Sequence, residues 1–394
     1  MRTMRLLFLC GMLAAGEYAA SFVPTFAEAW PLPACLALLV GLFGYGAAVR
    51  GWAPAVLFLA GVALFLHASV APERLYRERP WMRGRPERAR QFAAQPNGVR
   101  SLKADFSRRV AVGVERERET VALSRAILLG ERSRLPSRTR RLFVESGTMH
   151  VFAISGLHVM AIADVLTYLL GLLFVPLRVR GVAAIPLLWG YVAVIGFTPS
   201  AVRAALMATF NLFAPVLWRK PDGLRSWTLT FLVVHVCDPL LVVNVGNALS
   251  FAVMLAILLA GEWGRDLPKV RQTLLVTAVA WAVGVPIAAH VFGRVTPGGM
   301  LANLVLIAAA KLAVVSGAIG LIASYVSELA AAHLNNFGAL AIRGMVLVAE
   351  GVAQIPGANF ETGRWSLAAC AAWYAGLAVL ALALLAAAEC RRRL

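Results

Sequence analysis

The sequence predicts an all-α fold, a polytopic integral membrane helix bundle with about 9–12 transmembrane helices, some of them broken. Hydrophobic residues make up 60% of the 394 residues, and the mean hydropathy is +0.74. A soluble chain of this size has too little interior to bury so much apolar surface. Apolar runs of about 17–25 residues, the length needed to cross a bilayer, recur along the chain. These runs are continuous and do not alternate, which excludes the strands of a membrane β-barrel.

The predicted helices are assigned by the apolar runs, because backbone groups in lipid must pair within their own segment. The first run contains Glu17 and two further runs follow closely, so we interpret it as a membrane helix and not as a secretory signal. The runs lie near residues 5–23, 30–49, 52–70, 149–176, 180–197, 200–218, 226–244, 247–262, 272–292, 300–324, 336–355 and 366–389, of which 200–218 and 336–355 are the weakest.

Composition divides the chain into N-terminal transmembrane helices (1–70), a basic polar and amphipathic segment (71–141) and a membrane core (142–394). The middle segment holds nineteen Arg/Lys and eight Asp/Glu, so it supplies +11 of the chain's +18. Hydrophobic residues from Leu102 to Leu123 recur at roughly helical spacing and predict an amphipathic helix on the membrane or the bundle. Two interpretations of the charge stay open: a cytoplasmic loop attracted to anionic lipid, or an electrostatic landing zone for a polyanion such as nucleic acid.

Five cysteines are scattered along the chain without a CxxC pair or a Cys/His cluster. Three of them lie in or beside apolar runs, where cysteine acts as a small buried residue. Neither a metal site nor a cofactor is predicted.

The stretch "MHVFAISGLHVMAIADVL" places His150, Ser155, His158 and Asp164 inside an apolar run. On a helix, Ser155 and His158 share a face, whereas His150 and Asp164 lie off it, and Gly156 permits a local break. Such groups either hydrogen-bond between helices or line a path for a polar substrate. No GxSxG elbow surrounds the Ser–His pair, so no catalytic residue is predicted.

The stretch "IGFTPSAVRAALMATF" predicts a helix end at Pro199 and a new helix with Ser200 as its N-cap. Arg203 then lies in the first turn, where a guanidinium beside free N–H groups forms a concentrated positive site for phosphate oxygens. The alternatives are an ion pair with Asp164 or Asp238, or a side chain that extends to the membrane interface.

Two later runs add polar side chains at membrane depth. Asp238, followed by proline, predicts an N-cap, and Asn247 and Ser250 share a helix face in the same run. Asn303 and Lys311 lie in a later apolar run, where a buried lysine usually faces water or a carboxylate.

Several of these motifs together resemble the ComEC competence family, the DNA-uptake channels of naturally transformable bacteria. The resemblance covers about residues 125–325 and most of the membrane core. The matching elements, in the family's order, are "AILLGERSRLPSRTRRLFVESGTMH", "HVFAISGLHV", "TPSAVRAALM", "DPLLVVNVGNALSF" and "VPIAAHVFG" with "LANLVLIA".

The resemblance implies an inner-membrane channel that passes single-stranded DNA into the cytoplasm, with a DNA receptor and a cytoplasmic helicase-like ATPase as partners. Fuller members also carry an oligonucleotide-binding domain and a metallo-β-lactamase-like domain, which we do not find here, so no nuclease activity is expected of this chain. Ala308 stands where the family's last element usually ends in proline. A transporter of another polar or anionic solute and a structural scaffold remain alternatives. Homo-oligomers and the topology of segment 71–141 stay open.

The candidates for lining the channel or the DNA path are polar residues and one glycine of the apolar runs. They are His150, Ser155, Gly156, His158, Asp164, Ser200, Arg203, Asp238, Asn247, Ser250, Asn303 and Lys311.

Overall fold

The structure, a computed structural model, describes residues 96–238, 241, 244–366, 368–377 and 379. Within these residues the chain is almost entirely α-helical, and its only strands are two short ones. The predicted helices at 5–23, 30–49 and 52–70 and the first part of the basic segment lie outside the described residues.

The helices are numbered here in chain order. They are α1 (Asn97–Arg109), α2 (Arg118–Leu129), α3 (Ser137–Glu145), α4 (Gly156–Leu172), α5 (Leu177–Val194), α6 (Pro199–Phe213), α7 (Gly223–Cys237), α8 (Val245–Trp263), α9 (Lys269–Phe292), α10 (Gly298–Ala323), α11 (Glu328–Ala353) and α12 (Ala368–Leu377). Short 3-10 helices span Arg132–Arg134, Met149–Phe152 and Ala214–Leu217, and strand β1 (Arg294–Val295) pairs antiparallel with β2 (Phe360–Glu361).

Six helices are long and apolar enough to cross a membrane: α5, α6 with its 3-10 extension, α8, α9, α10 and α11. Helices α4, α7 and α12 are shorter apolar helices. This confirms the prediction of an all-α polytopic bundle. The two weakest predicted runs, 200–218 and 336–355, correspond to α6 with its extension and to most of α11.

Helices α10 and α11 form a tightly packed antiparallel hairpin at the centre of the core. Small residues allow this close approach, since a Cβ atom on Gly338 would lie 2.6 Å from the Ser316 Oγ. Leu306 and Met345, one from each helix, are completely buried in the main hydrophobic cluster.

The predicted amphipathic helix over the region 102–123 forms two helices, α1 and α2. The chain turns between them at Gly113, whose φ of +84° suits glycine and whose Cα packs against Ala332 of α11. The amide of Asn335 donates to the carbonyls of Arg109 (3.1 Å) and Val112 (2.9 Å). These contacts dock the amphipathic segment on the bundle.

Three predicted local features differ from the structure. Thr198 is the N-cap of α6 and Pro199 its first residue, so Ser200 is not the cap, because proline is preorganised for the first helical position. Asp238 is the C-cap of α7, and Asn244 caps α8 by accepting from the Asn247 backbone N–H. The predicted run 149–176 is a 3-10 turn and then α4, separated by extended backbone around Ala153.

Candidate functional site

Many of the polar candidates gather at one end of the bundle. Helices α4, α6 and α8 begin at this end, and the antiparallel helix α7 ends there. Since α4 packs on α6, α6 on α7, and α7 on α8, the chain brings side chains that are distant in sequence to a common level.

The start of α4 is held by Ser155 and His158. The Ser155 Oγ lies 3.0 Å from the His158 Nδ1, and the Ser155 backbone N–H donates to the same nitrogen at 3.2 Å. Because Nδ1 accepts this bond, the neutral ring carries its proton on Nε2. His158 is 1% exposed, and its Nε2 has no hydrogen-bond partner among the described residues. Gly156, the first residue of α4, has no close neighbour at its Cβ position and does not serve packing.

His150 and Asn303 meet beside this helix start. His150 lies in the 3-10 turn and faces the backbone of Gly147 and the side chain of Asn303. The Asn303 Oδ1 is buried, and within the described residues it accepts no hydrogen bond. Together with the His158 Nε2, this places two unsatisfied polar atoms in the region between α4 and α10.

The break before α4 is tied to its neighbours through its carbonyl groups. The Ser200 Oγ donates to the Ile154 carbonyl at 2.6 Å, and the Arg132 Nε donates to the Phe152 carbonyl at 2.6 Å. Ser200 therefore joins the first turn of α6 to the irregular backbone before α4. The backbone polar groups of such a segment need hydrogen-bond partners inside a membrane protein.

One turn further along α6, Arg203 lies in a buried group of side chains that we call the Arg203 cluster: Arg203, His235, Asn247 and Ser250. The Arg203 Nε donates to the Ser250 Oγ at 3.2 Å, and its Nη1 donates to the Asn247 Oδ1 at 3.1 Å. Arg203 is only 8% exposed. Among the described residues no carboxylate forms an ion pair with it.

His235 is the member of this cluster that the sequence analysis missed. Its Nε2 accepts from the Asn247 amide at 3.1 Å, so its Nδ1 carries the proton and donates to the Phe231 carbonyl at 2.9 Å. The amide also donates to the Leu241 carbonyl at 3.0 Å, which orients the Asn247 Oδ1 toward Arg203. The only available signal was a histidine in an apolar run just before Asp238.

Asp164 and Lys311 lie apart from the cluster and pair with each other. The Lys311 Nζ is 3.3 Å from the Asp164 Oδ2. The two residues lie near the centres of α4 and α10, and their side chains are 57% and 52% exposed, respectively. Of the alternatives considered for Arg203, an ion pair with Asp164 is wrong, because Lys311 holds that carboxylate.

Two cavities of the described structure lie away from these clusters, and neither is lined by the candidate residues. A groove of about 600 Å³ lies between α3 and the end of α11, lined by residues that include Arg138, Arg141 and Glu350. A small cavity of about 10 Å³ lies among α2, α10 and α11. A hydrated lumen between the candidate residues corresponds to neither of these two cavities and stays a prediction.

A family model and three relatives match this chain, and they agree with one another. A family model described as "Competence protein" matches residues 127–387. The chain is 25% identical over 202 residues to ComE operon protein 3 of Bacillus subtilis (strain 168), covering 51% of this chain and 26% of that protein. It is 30% identical over 197 residues to Competence protein ComA of Neisseria gonorrhoeae, covering 48% of this chain and 27% of that protein.

A third relative is Recombination protein 2 of Haemophilus influenzae, 31% identical over 154 residues, which is 36% of this chain and 19% of that protein. The matches thus span about a quarter or less of the length of these relatives. No solved structure matches the chain.

Proposed function

This chain belongs to the competence protein family, and we propose that it forms the membrane core of a DNA-uptake channel that passes single-stranded DNA into the cytoplasm. It is a multi-pass protein of the bacterial inner membrane. In this proposal residues 142–394 form the channel core, residues 71–141 attract the strand electrostatically, and residues 1–70 add membrane helices.

The observation that carries the proposal is the environment of Arg203. A buried guanidinium loses its hydration, and structural proteins usually compensate this loss with a nearby carboxylate. Here both hydrogen bonds from Arg203 go to neutral side chains, Asn247 and Ser250. The positive charge is therefore not cancelled within the cluster, and it remains available to a phosphate oxygen through a charge-assisted hydrogen bond.

Further polar groups at the same end support a path for an anion. The start of α4 contributes Ser155 and His158, and the neighbouring turn contributes His150 beside Asn303. Asp164 and Lys311 then hold charge near the centres of their helices, where lipid is a poor solvent for ions. Contacts to phosphates carry no base information, so the channel would not select sequences.

No chemical step is assigned to this chain. The Ser155–His158 pair resembles part of a hydrolase, but its hydrogen bonds close the helix start and the histidine nitrogen accepts from the backbone. Transport then needs partners, for which the family suggests a DNA receptor outside the membrane and a helicase-like ATPase in the cytoplasm. Membrane lipid completes the assembly.

A strain that carries Arg203→Met in place of the native gene tests the proposal. Methionine keeps much of the packing and removes the charge, so we expect transformation and entry of labelled DNA to fall about 10- to 100-fold, the loss of one hydrogen bond to a charged group. A deletion strain sets the lower limit. Protein abundance, measured by immunoblotting, must match the wild type.

Arg343→Gln is the matched control, because Arg343 is half-exposed and already paired with Glu117. We expect this variant to take up DNA at the wild-type level. A deletion strain that transforms normally would refute the channel proposal. An Arg203→Met strain with normal abundance and normal uptake would remove Arg203 from the DNA path.

A further inference from the structure

Two helix ends on the side of the bundle opposite the Arg203 cluster expose large aromatic side chains. Phe174 follows α4 and is 94% exposed, and Trp218 follows the extension of α6 and is 79% exposed. Both have left-handed backbone conformations, with φ values of +58° and +56°. Bulky residues adopt this conformation rarely, because the Cβ atom approaches the carbonyl oxygen.

The hydrogen bonds at these two ends follow the same pattern. The backbone N–H of Val175 donates to the Leu170 carbonyl at 3.1 Å, and that of Arg219 donates to the Ala214 carbonyl at 3.0 Å. This arrangement closes a helix with one left-handed residue, normally glycine. An aromatic residue at both positions strains the backbone, and its exposed ring gains no core packing in return.

Basic side chains lie on the same two turns as the aromatic rings. The Arg178 guanidinium lies 3.2 Å from the centre of the Trp218 ring, which links the two turns. Arg180 donates to the Val175 carbonyl at 3.1 Å and stabilises the first turn. Arg178, Arg219 and Lys220 are exposed. The turns thus present aromatic rings and cations together on a preorganised surface.

At the opposite end, the short connections that lead into α6 and α10 lack this concentration of unpaired charge, and exposed arginines there belong to α3. The connection 195–198 between α5 and α6 contains no charged residue. In the connection between α9 and α10, Arg294 is paired with Glu361. Among the short connections between the apolar helices α4 to α7 and α9 to α10, unpaired basic residues therefore concentrate at the Phe174–Trp218 end.

We infer that the α4–α5 turn and the connection from α6 to α7 form a docking surface for anionic phospholipid. The cations match the negative headgroups, and the aromatic rings suit the boundary between headgroups and acyl chains. Exposed leucines on the same turns extend the apolar part, namely Leu173, Leu177 and Leu217. These leucines favour lipid over nucleic acid, which would leave them in water.

This inference is independent of the proposed DNA path, and it has a consequence for orientation. Short loops rich in Arg and Lys stay on the cytoplasmic side of the inner membrane, whereas long segments such as the one that includes α3 do not follow this bias. The Phe174–Trp218 end then faces the cytoplasm, and the start of α6, with Ser200 and Arg203, faces the outer leaflet about 27 Å away.

The test uses the purified full chain in detergent, with phosphatidylglycerol or phosphatidylcholine added at equal amounts. We expect phosphatidylglycerol to raise the apparent Tm more than phosphatidylcholine does. The triple variant Arg178→Gln, Arg219→Gln, Lys220→Gln should lose at least half of this difference. The control triple variant removes the same charge from exposed positions of α3, with Arg138→Gln, Arg140→Gln and Arg141→Gln, and should keep it.

Equal effects of the two lipids on the wild type, or equal losses in the two triple variants, would overturn the inference. A Tm increase produced by a single-stranded oligonucleotide but not by phosphatidylglycerol would overturn it as well. Trp218→Gly separates folding from lipid binding, because glycine relieves the left-handed strain. We expect its Tm without lipid to equal or exceed that of the wild type, and the rise in Tm on adding phosphatidylglycerol to become smaller. An unchanged rise would exclude Trp218 from the lipid-binding surface.

The orientation is tested with Lys220→Cys in a chain whose five native cysteines are replaced by serine. A membrane-impermeant maleimide should label this cysteine only after intact spheroplasts are permeabilised. Labelling of intact spheroplasts would place the surface on the outer side and overturn its assignment to the cytoplasmic leaflet.

Discussion

Two clusters of the molecule differ in whether their arginines meet a carboxylate. One, which we call the connector cluster, joins the amphipathic segment to the α10–α11 hairpin through Asp105, Arg109, Glu117, Tyr325 and Arg343. There Arg109 donates to Asp105 at 2.7 Å and to the Ser324 carbonyl at 3.0 Å, and Arg343 donates to Glu117. In the Arg203 cluster, the more deeply buried guanidinium has only neutral hydrogen-bond partners.

In the proposed DNA path, this difference distinguishes a structural use of charge from a functional one. In the connector cluster each cation meets a carboxylate at a partly exposed position, where the pair costs little and adds specific contacts between distant segments. In the Arg203 cluster the charge is held in place and left uncancelled, which costs stability. Such an arrangement is expected where an anion binds during function.

Asn247→Asp removes this difference most directly, because it gives Arg203 a carboxylate partner of the kind that the arginines of the connector cluster already have. We expect a loss of DNA uptake of about 100-fold, since an internal ion pair competes with phosphate. The apparent Tm should change little, because the new ion pair offsets the amide's lost hydrogen bonds to His235 and the Leu241 carbonyl. Tm in detergent and entry of labelled DNA measure the two effects. Asn244→Asp, which keeps an N-cap nearby, should change neither. Normal uptake by Asn247→Asp would show that DNA uptake does not need an uncancelled positive charge on Arg203.

The Asp164–Lys311 pair offers a second comparison of structural and functional charge, at the middle of the bundle. Lys311→Met leaves Asp164 unpaired, so we expect the stability to fall by about 1–2 kcal/mol, less than for a fully buried charge because both groups are half-exposed. The double variant Asp164→Asn, Lys311→Met should recover most of the Tm but not the uptake of labelled DNA. Full recovery of uptake would make the pair structural, like the connector cluster.

The smallest effect is expected for Asp105→Asn in the connector cluster. The hydrogen bonds from Arg109 and then from Tyr325 lower the pKa of the Asp105 carboxyl. Its stabilising effect is therefore present above the unfolded-state pKa, about 3.9, and is lost as the pH falls through the folded-state pKa.

At neutral pH we expect Asp105→Asn to lower the apparent Tm by a few degrees and to leave DNA uptake unchanged. The difference from the wild type should shrink in Tm measurements below about pH 4. Glu262→Gln removes an exposed carboxylate that pairs with Arg265 in its own turn and should have no measurable effect. A Tm difference for Asp105→Asn that persists in acid would contradict this account.

Local features of the amino-acid sequence predict that the chain is a membrane protein, where its helices lie and which family it resembles. Apolar length predicts a membrane helix because every backbone group must be paired in lipid, and even the weak run 336–355 lies mostly within α11. Polar residues inside such runs, including His158 and Arg203, could be identified because burying them is costly. Motifs in a fixed order indicated the competence family.

The partners of these residues depend on packing between distant segments, and only the tertiary structure determined them. Ser200 reads as an N-cap in isolation, but its hydroxyl group contacts the Ile154 carbonyl on another element. Arg203 had two acidic candidates, and the packing of α6 against α8 brought Asn247 to it instead, with His235 behind. Local hydrophobicity and turn chemistry decide where helices begin and end. Which side chains meet depends on how the helices pack, and single-residue patterns do not encode that geometry.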